Sequence, residues 1–164
     1  MADVLLTALD VRDADEMFRL LSASEIYEEM EEVPPASIEA LRRRYEFLSK
    51  QSSPDGTEWW LNWIVRNAET NEAMGFVQAT VVKAKGSAAI AYVLHPRFWG
   101  KGYARMAVAN MLEILRMTYK VKEFVATVNE SNTASVKLLK HFSFKETSRT
   151  PIEGGKIELA FCLK

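Results

Sequence analysis

Apolar residues recur along this chain with two different periods, and the period changes near residue 58. Before that position they recur every three to four residues, which predicts helices over residues 10–24 and 37–51. Asp10 or Asp13 can cap the first helix, because a short polar side chain accepts hydrogen bonds from the free amide groups at a helix start. After residue 58 apolar and polar residues alternate, which predicts strands. The chain therefore starts with a mainly helical part and continues with a part rich in strands.

Turn-forming residues separate the predicted elements, and no linker, repeat or low-complexity tract divides the chain. The predicted strands cover residues 58–66, 74–82, 88–94, 123–128, 144–150 and 157–164. Two further helices are predicted over residues 103–118 and 133–142, and a short apolar run covers residues 4–9. This order predicts one domain over residues 1–164, of the α/β (α+β) class, with a mixed sheet flanked by about four helices.

The composition of the 164 residues is that of an ordinary globular protein, with 48% hydrophobic and 26% charged residues. The formal net charge is −1, which argues against general binding to nucleic acid. Cys162 is the single cysteine, so we expect neither a disulfide nor a metal site. No apolar stretch approaches the ~18 residues of a membrane span, and the first ten residues do not look like a signal peptide. We expect a cytoplasmic protein, monomeric or homodimeric, without a nucleic-acid or membrane partner.

The stretch "RFWGKGYAR", residues 97–105, concentrates three basic residues around two glycines just before a predicted helix. The free amide groups and the dipole of a helix start favour anions, and glycine lets a phosphate approach the backbone. The stretch is therefore either a phosphate-binding loop or a tight turn. Two nucleotide motifs do not fit, because the P-loop frame is missing and Arg105 stands where a dinucleotide fingerprint has its third glycine.

The pattern Arg97-x-x-Gly100-x-Gly102 resembles the R/Q-x-x-G-x-G/A signature of the GNAT superfamily of N-acetyltransferases. Asn132 and Ser135, about 30 residues later, extend the likeness. The stretches "YVLHPRFWGKGYARMA" and "VNESNTASVKLLKHFSF" look like the RimJ/RimL-type branch, which acetylates the N-terminal residues of ribosomal proteins. The resemblance covers nearly the whole chain and implies a mostly antiparallel sheet with a central splayed strand pair.

The resemblance also implies acetyl-CoA as co-substrate, with its pyrophosphate on the glycine loop and its pantetheine arm between the splayed strands. A backbone N–H near Val93 or Leu94 would polarise the thioester carbonyl. Asn132 would contact the cofactor, cap the following helix, or do both. The residues that the resemblance assigns to cofactor binding are Val93, Leu94, Arg97, Trp99, Gly100, Lys101, Gly102, Tyr103, Ala104, Asn132 and Ser135.

Expulsion of the CoA thiolate calls for a group that protonates or stabilises it. Many GNAT enzymes use a tyrosine four residues after the position of Ser135, and this chain has Leu139 there. The resemblance implies that the RimJ/RimL-type branch shares this departure, with the serine that matches Ser135 taking the place of the tyrosine. Ser135 is our candidate for the task, with helix capping or packing as the alternative. The sequence does not identify a general base. His95 could accept a proton, but next to Pro96 it is better explained as ordering the strand end.

The acceptor side of the predicted site falls on "SEIYEEMEEVPP", which carries five glutamates between residues 25 and 32. This charge would attract a cationic amine, or it forms a solvated acidic loop. Trp59, Trp60 and Trp63 could line the acceptor pocket but are expected mostly in the core. We expect an acetyl-CoA-dependent N-acetyltransferase acting on a protein N-terminus or small amine. The alternative is a non-catalytic acyl-CoA-binding module, which Leu139 would favour.

Overall fold

The computed structural model describes residues 3–164, which form one seven-stranded sheet with helices on both faces. The strands are β1 (Val4–Ala8), β2 (Glu58–Asn67), β3 (Ala73–Val82), β4 (Ser87–Leu94), β5 (Glu123–Asn129), β6 (Lys145–Ile152) and β7 (Lys156–Leu163). The helices are α1 (Ala14–Leu20), α2 (Ile38–Leu48), α3 (Tyr103–Met117) and α4 (Thr133–His141). The predicted fold class is confirmed, and β1 forms on the short apolar run.

The strand order is β1-β2-β3-β4-β5-β7-β6, and β4–β5 is the parallel pair in an otherwise antiparallel sheet. This pair is joined only at Ser87–Glu123, Ala88–Phe124 and Ala89–Val125. Beyond Ala89 the two strands diverge, so the splayed pair that the resemblance implied is present. The sheet therefore has an opening at its centre, at the carboxyl ends of β4 and β5.

Each face of the sheet buries its own apolar cluster. On one face α3 contributes a stripe of fully buried residues at helical spacing, Ala107, Val108, Met111 and Leu115. On the other face α1 and α2 pack Met17, Leu41 and Tyr45 against the sheet. The opening between β4 and β5 thus lies between the helix layer on one face of the sheet and the helix layer on the other.

The first predicted helix is shorter than its apolar spacing indicated. A 3-10 turn at Val11–Asp13 precedes α1, which ends at Leu20, and a second 3-10 turn follows at Ser24–Tyr27. Asp10 caps the first turn by accepting the N–H of Arg12 at 2.8 Å, while Asp13 accepts the N–H of Asp10 at 2.9 Å. Residues 24–32, which carry the five glutamates and are called the acidic segment below, thereby lie outside any α-helix.

The tryptophans of β2 are only partly in the core, contrary to expectation. Trp63 is buried, but Trp59 is 37% exposed and lies under the ammonium group of Lys83, 3.7 Å from its ring centroid. The indole N–H of Trp60 donates to a Glu58 carboxylate oxygen at 2.8 Å. Since β2 is separated from the opening by β3 and β4, these rings do not form its walls.

Candidate active site

The inner edge of β4 presents unpaired backbone groups to the opening. The N–H of His95 donates to the carbonyl oxygen of Met74 at 2.9 Å, and Leu94 lies opposite Gly75. Hydrogen-bonded and non-hydrogen-bonded pairs alternate along an antiparallel ladder, so the N–H groups of Tyr92 and Leu94 point away from β3. The backbone of Val93 points toward β3. Of the two expected donors to a thioester carbonyl, Leu94 therefore has the suitable direction.

Gly75 permits an unusually close approach of β3 to this part of β4. A side-chain carbon added at Gly75 would overlap the carbonyl oxygen of Val93 and lie 2.8 Å from Cα of Leu94. Both obstacles are backbone atoms, so no rotamer change would make room. The missing side chain at Gly75 thus lets β4 stay against β3 where β4 separates from β5.

The glycine loop forms an open helix start. Gly100 and Gly102 have φ of 70° and 84°, a left-handed conformation that strains residues with a side chain. Gly102 is the N-cap of α3, and it supplies no side chain to cover the free amide groups of the first turn. A side-chain carbon at Gly100 would meet no atom within 4 Å. These features fit a diphosphate, because amide donors and the positive helix end face free space.

The side chains of the loop make contacts of their own. The guanidinium of Arg97 pairs with Glu72, in the turn between β2 and β3, and lies 4.7 Å from the ring centroid of Phe98. The Lys101 ammonium donates to the carbonyl oxygen of Arg97 at 2.8 Å. The indole N–H of Trp99 donates to the carbonyl oxygen of Leu94 at 2.8 Å. The carbonyl oxygen of Leu94 thus accepts a hydrogen bond from Trp99, whereas the N–H of Leu94 stays free.

Asn132 and Ser135 lie together at the start of α4, the helix that follows β5. The side-chain oxygen of Asn132 accepts the N–H of Ser135 at 3.2 Å, so the capping interpretation of Asn132 is confirmed. Contact of either residue with a cofactor stays a prediction. Leu139, one helical turn further, is fully buried and brings no polar group to the opening.

His95 orders the loop between β4 and α3. It is the N-cap of the 3-10 turn Pro96–Phe98, and its Nδ1 accepts the N–H of Arg97 at 3.3 Å. Its ring lies edge-on to Phe98, with the centroids 6.3 Å apart. These contacts match the structural interpretation of His95 given above.

The acidic segment, residues 24–32, is fastened across the carboxyl end of β5. The side-chain amide of Asn129, which is 8% exposed, donates to the carbonyl oxygen of Glu29 at 2.7 Å. The hydroxyl of Ser131 donates to the Glu29 carboxylate at 2.5 Å. Glu28, Glu31 and Glu32 remain exposed. These three carboxylates therefore belong to a segment that is fixed at the carboxyl end of β5, where β4 and β5 are apart.

Three residues of this region carried no recognisable signal in the sequence. Gly75 reads as an ordinary strand glycine, and Asn129 as the last residue of a strand. Tyr92 fits the apolar alternation of β4, yet its hydroxyl reaches the carbonyl oxygen of Ser135 on α4, 3.4 Å away. Each acts through a contact distant in sequence, so local pattern does not show it.

Residues 3–164 contain neither a recognisable metal site nor a candidate membrane-spanning helix. The side chains of this part of the chain form no group of three or more His, Cys, Asp or Glu that could hold a metal ion. None of its helices is long and apolar enough to cross a membrane.

The splayed strands, the glycine loop and the uncapped helix start together define the site of a GNAT-type acetyltransferase. The family model described as "Acetyltransferase (GNAT) domain" matches residues 3–145. The chain belongs to this family and is an N-acetyltransferase. Its members use acetyl-CoA.

Individual proteins of the family are similar to this chain over most of its length. A Bacillus licheniformis protein named "Uncharacterized N-acetyltransferase p20" is 28% identical over 142 residues, which are 86% of this chain and 78% of that protein. A spermidine N-acetyltransferase from Vibrio cholerae, solved with CoA and spermine, has a TM-score of 0.84 at 20% identity, covering 98% of this chain and 95% of that one. A GNAT-family acetyltransferase from Bacillus anthracis has a TM-score of 0.79 at 18% identity, covering 99% and 96%. At these identities the structures show the common fold.

Proposed function

We propose that this enzyme transfers the acetyl group of acetyl-CoA to the primary amine of a cationic acceptor, by direct attack in a ternary complex. One arrangement carries the proposal: the opening between β4 and β5 lies between a free helix start and a fastened acidic segment. The helix start suits the diphosphate of CoA, and the acidic segment suits an ammonium group. A donor and an acceptor of opposite charge would thus approach the opening from different sides.

The proposed cofactor contacts come from the glycine loop and the inner edge of β4. Backbone N–H groups from Gly100 to Ala104 would hold the diphosphate, since the N–H of Trp99 already donates to the carbonyl oxygen of Pro96 at 3.0 Å. Lys101 would add positive charge. The pantetheine arm would pair with the open edge of β4, as an added strand does. Acetyl-CoA supplies a thioester carbonyl that a neutral amine can attack. The N–H of Leu94 would hold the negative charge that develops on that carbonyl oxygen.

A small polyamine is the acceptor that we favour, with a protein N-terminus as the other choice. The exposed carboxylates of Glu28, Glu31 and Glu32 give several places for a multiply charged ligand. The similar structures include spermidine N-acetyltransferases, one of them in complex with CoA and spermine, which supports this class. The protein N-terminus follows from placement in the RimJ/RimL-type branch, which we propose on "YVLHPRFWGKGYARMA" and on Leu139. The cytoplasm stays the expected compartment, since a lone cysteine suits a reducing environment.

The deciding assay measures free thiol released from acetyl-CoA when an amine is added. The panel contains spermidine, spermine, an aminoglycoside and peptides with a free N-terminal alanine or serine. We expect thiol release that depends on the amine and saturates with it. Binding of acetyl-CoA without release for any amine would instead identify a non-catalytic module.

Variants of the acidic segment test the acceptor class. Glu31→Gln combined with Glu32→Gln should raise KM for a polyamine several-fold and leave the affinity for acetyl-CoA unchanged, because each exposed charge contributes well under 1 kcal/mol. Glu69→Gln, an exposed carboxylate in the turn after β2, is the matched control and should leave KM unchanged. An equal effect of both variants would assign the change to net charge rather than to this segment.

A further inference from the structure

The proposed transfer ends when the bond between carbon and sulfur breaks and its electron pair stays on sulfur. A hydrogen-bond donor that faces this sulfur would stabilise the new thiolate. Ser135 is one candidate, although a serine hydroxyl is a weak acid. The buried side chain of Leu139 has no donor. A further hydroxyl, that of Tyr92 on β4, reaches the start of α4.

Tyr92 stands in the part of β4 that has left β5. The last residue of β4 that pairs with β5 is Ala89, three positions earlier. Side chains alternate between faces along a strand, so Tyr92 shares its face with Ile90 and Leu94, and it packs against their cluster. Its hydroxyl comes within 3.4 Å of the carbonyl oxygen of Ser135. The ring therefore crosses from β4 to the helix after β5, alongside the opening.

The hydroxyl of Tyr92 is protonated and only weakly held in this position. An O–H···O bond is normally about 2.7–2.8 Å long, so a separation of 3.4 Å is a weak bond. Burial raises the pKa of Tyr92, although a hydrogen bond with the Ser135 side chain acts in the opposite direction. The group is therefore a neutral donor near pH 7, and a better acceptor could take over its hydrogen bond.

We propose that Tyr92 donates a hydrogen bond to the departing sulfur of CoA. This inference rests on the proposed function. As the carbon–sulfur bond breaks, the O–H turns from the Ser135 carbonyl to the sulfur, which carries the released electron pair. A phenol is a weaker acid than a thiol, so the proton stays on oxygen and the thiolate is protonated by water after release. The ammonium proton of the attacking amine leaves to water. Tyr92 thus supplies from β4 the donor that α4 lacks at Leu139.

The test measures the pKa of the thiol of bound CoA, by the ultraviolet absorbance of its thiolate, and then turnover. A hydrogen bond to a charged group corresponds to about one to two pKa units. We expect Tyr92→Phe to raise the pKa of the bound thiol by that amount and to lower kcat about 10- to 100-fold. The affinity for CoA at acidic pH, where the thiol is neutral, should stay within about two-fold. Tyr119→Phe is the control, since that ring lies beside Trp59, away from the opening, and it should change none of these values.

Each outcome has a distinct meaning. An unchanged thiol pKa and unchanged kcat in Tyr92→Phe, with CoA still bound, would overturn the role of Tyr92. The same pKa change in Ser135→Ala but not in Tyr92→Phe would assign the donor to Ser135 and also overturn it. A parent protein that binds no CoA would refute the proposed function itself. The phenylalanine keeps the ring and its packing, and a thermal melt verifies that the variant is folded.

Discussion

Replacing Ser143 with glycine should stabilise the protein, because Ser143 is held in a left-handed conformation at the end of α4. Its φ is 66°. The N–H of Phe144 donates to the carbonyl oxygen of Leu139 at 3.1 Å, and the N–H of Ser143 donates to that of Lys140 at 3.0 Å. These two bonds form a Schellman motif, with Phe144 and Leu139 both buried as its apolar contact. The packing around the turn therefore fixes the strained conformation.

The expected gain is the difference between two opposing effects. A side chain in the left-handed region costs roughly 1–2 kcal/mol, which glycine would relieve. Glycine also gives the unfolded chain more freedom, which removes about 0.4–1 kcal/mol of stability. Ser143 is exposed, so no packing is lost. We expect the free energy of unfolding to rise by about 0.5–1 kcal/mol, which shifts Tm by about 1–4 °C for a chain of this size.

Urea denaturation of the parent and Ser143→Gly measures this difference. The matched control is Ser49→Gly at the end of α2, where φ is −65° and the hydroxyl donates to the carbonyl oxygen of Glu46 at 2.9 Å. That variant should be less stable than the parent. A lower midpoint for Ser143→Gly at unchanged slope would refute the strain argument, because the slope reports the surface exposed on unfolding. Acetyl transfer should be unchanged.

Three further predictions concern the site. Acetyl-CoA at 100 times its Kd should stabilise the protein by about 2.7 kcal/mol through mass action, and an equal shift with ATP at the same concentration would count against a CoA site. Gly102→Ala should lose about 1–2 kcal/mol of stability and most of its affinity for CoA, measured by calorimetry. The control Gly56→Ala, at φ 75° but far from the loop, should lose only stability. Equal CoA affinity in the two variants would contradict the assignment of the loop to CoA. Gly75→Ala should be destabilised by about 1–3 kcal/mol or more, because overpacking against backbone shifts β4; a variant as stable as the parent in urea would show that β3 and β4 separate freely.

Most helices and strands were predictable because they bury one face, and burial leaves a period in the sequence; β6 is an exception, since none of its residues is buried. The stripe of α3 and the alternation of β3 show this directly. The first helix was predicted too long, since Leu21 is also buried and continues the apolar spacing beyond Leu20, where α1 ends. Trp59 was misplaced for a related reason, because alternation assigns a side of the strand but does not say how well that side is covered.

The site was predictable only where its residues are neighbours in sequence. The glycine loop and the Asn132–Ser135 turn are of this kind. The contact of Asn129 with Glu29 joins residues 100 positions apart, and that of Tyr92 with Ser135 joins residues 43 apart. Such contacts depend on how strands are ordered in the sheet, which periodicity does not encode.

The splay of β4 and β5 also divides the molecule mechanically. Three residue pairs join the first four strands to the last three, so the centre of the sheet is its weakest seam. We expect the two sides to behave as separate cooperative units. The amide hydrogens of β5, β6 and β7 should exchange through local unfolding that leaves those of β2 and β3 protected. A ligand lying in the opening would contact both units and couple their motions. Binding should then slow amide hydrogen exchange in strands far from the ligand, and hydrogen exchange measures this strand by strand.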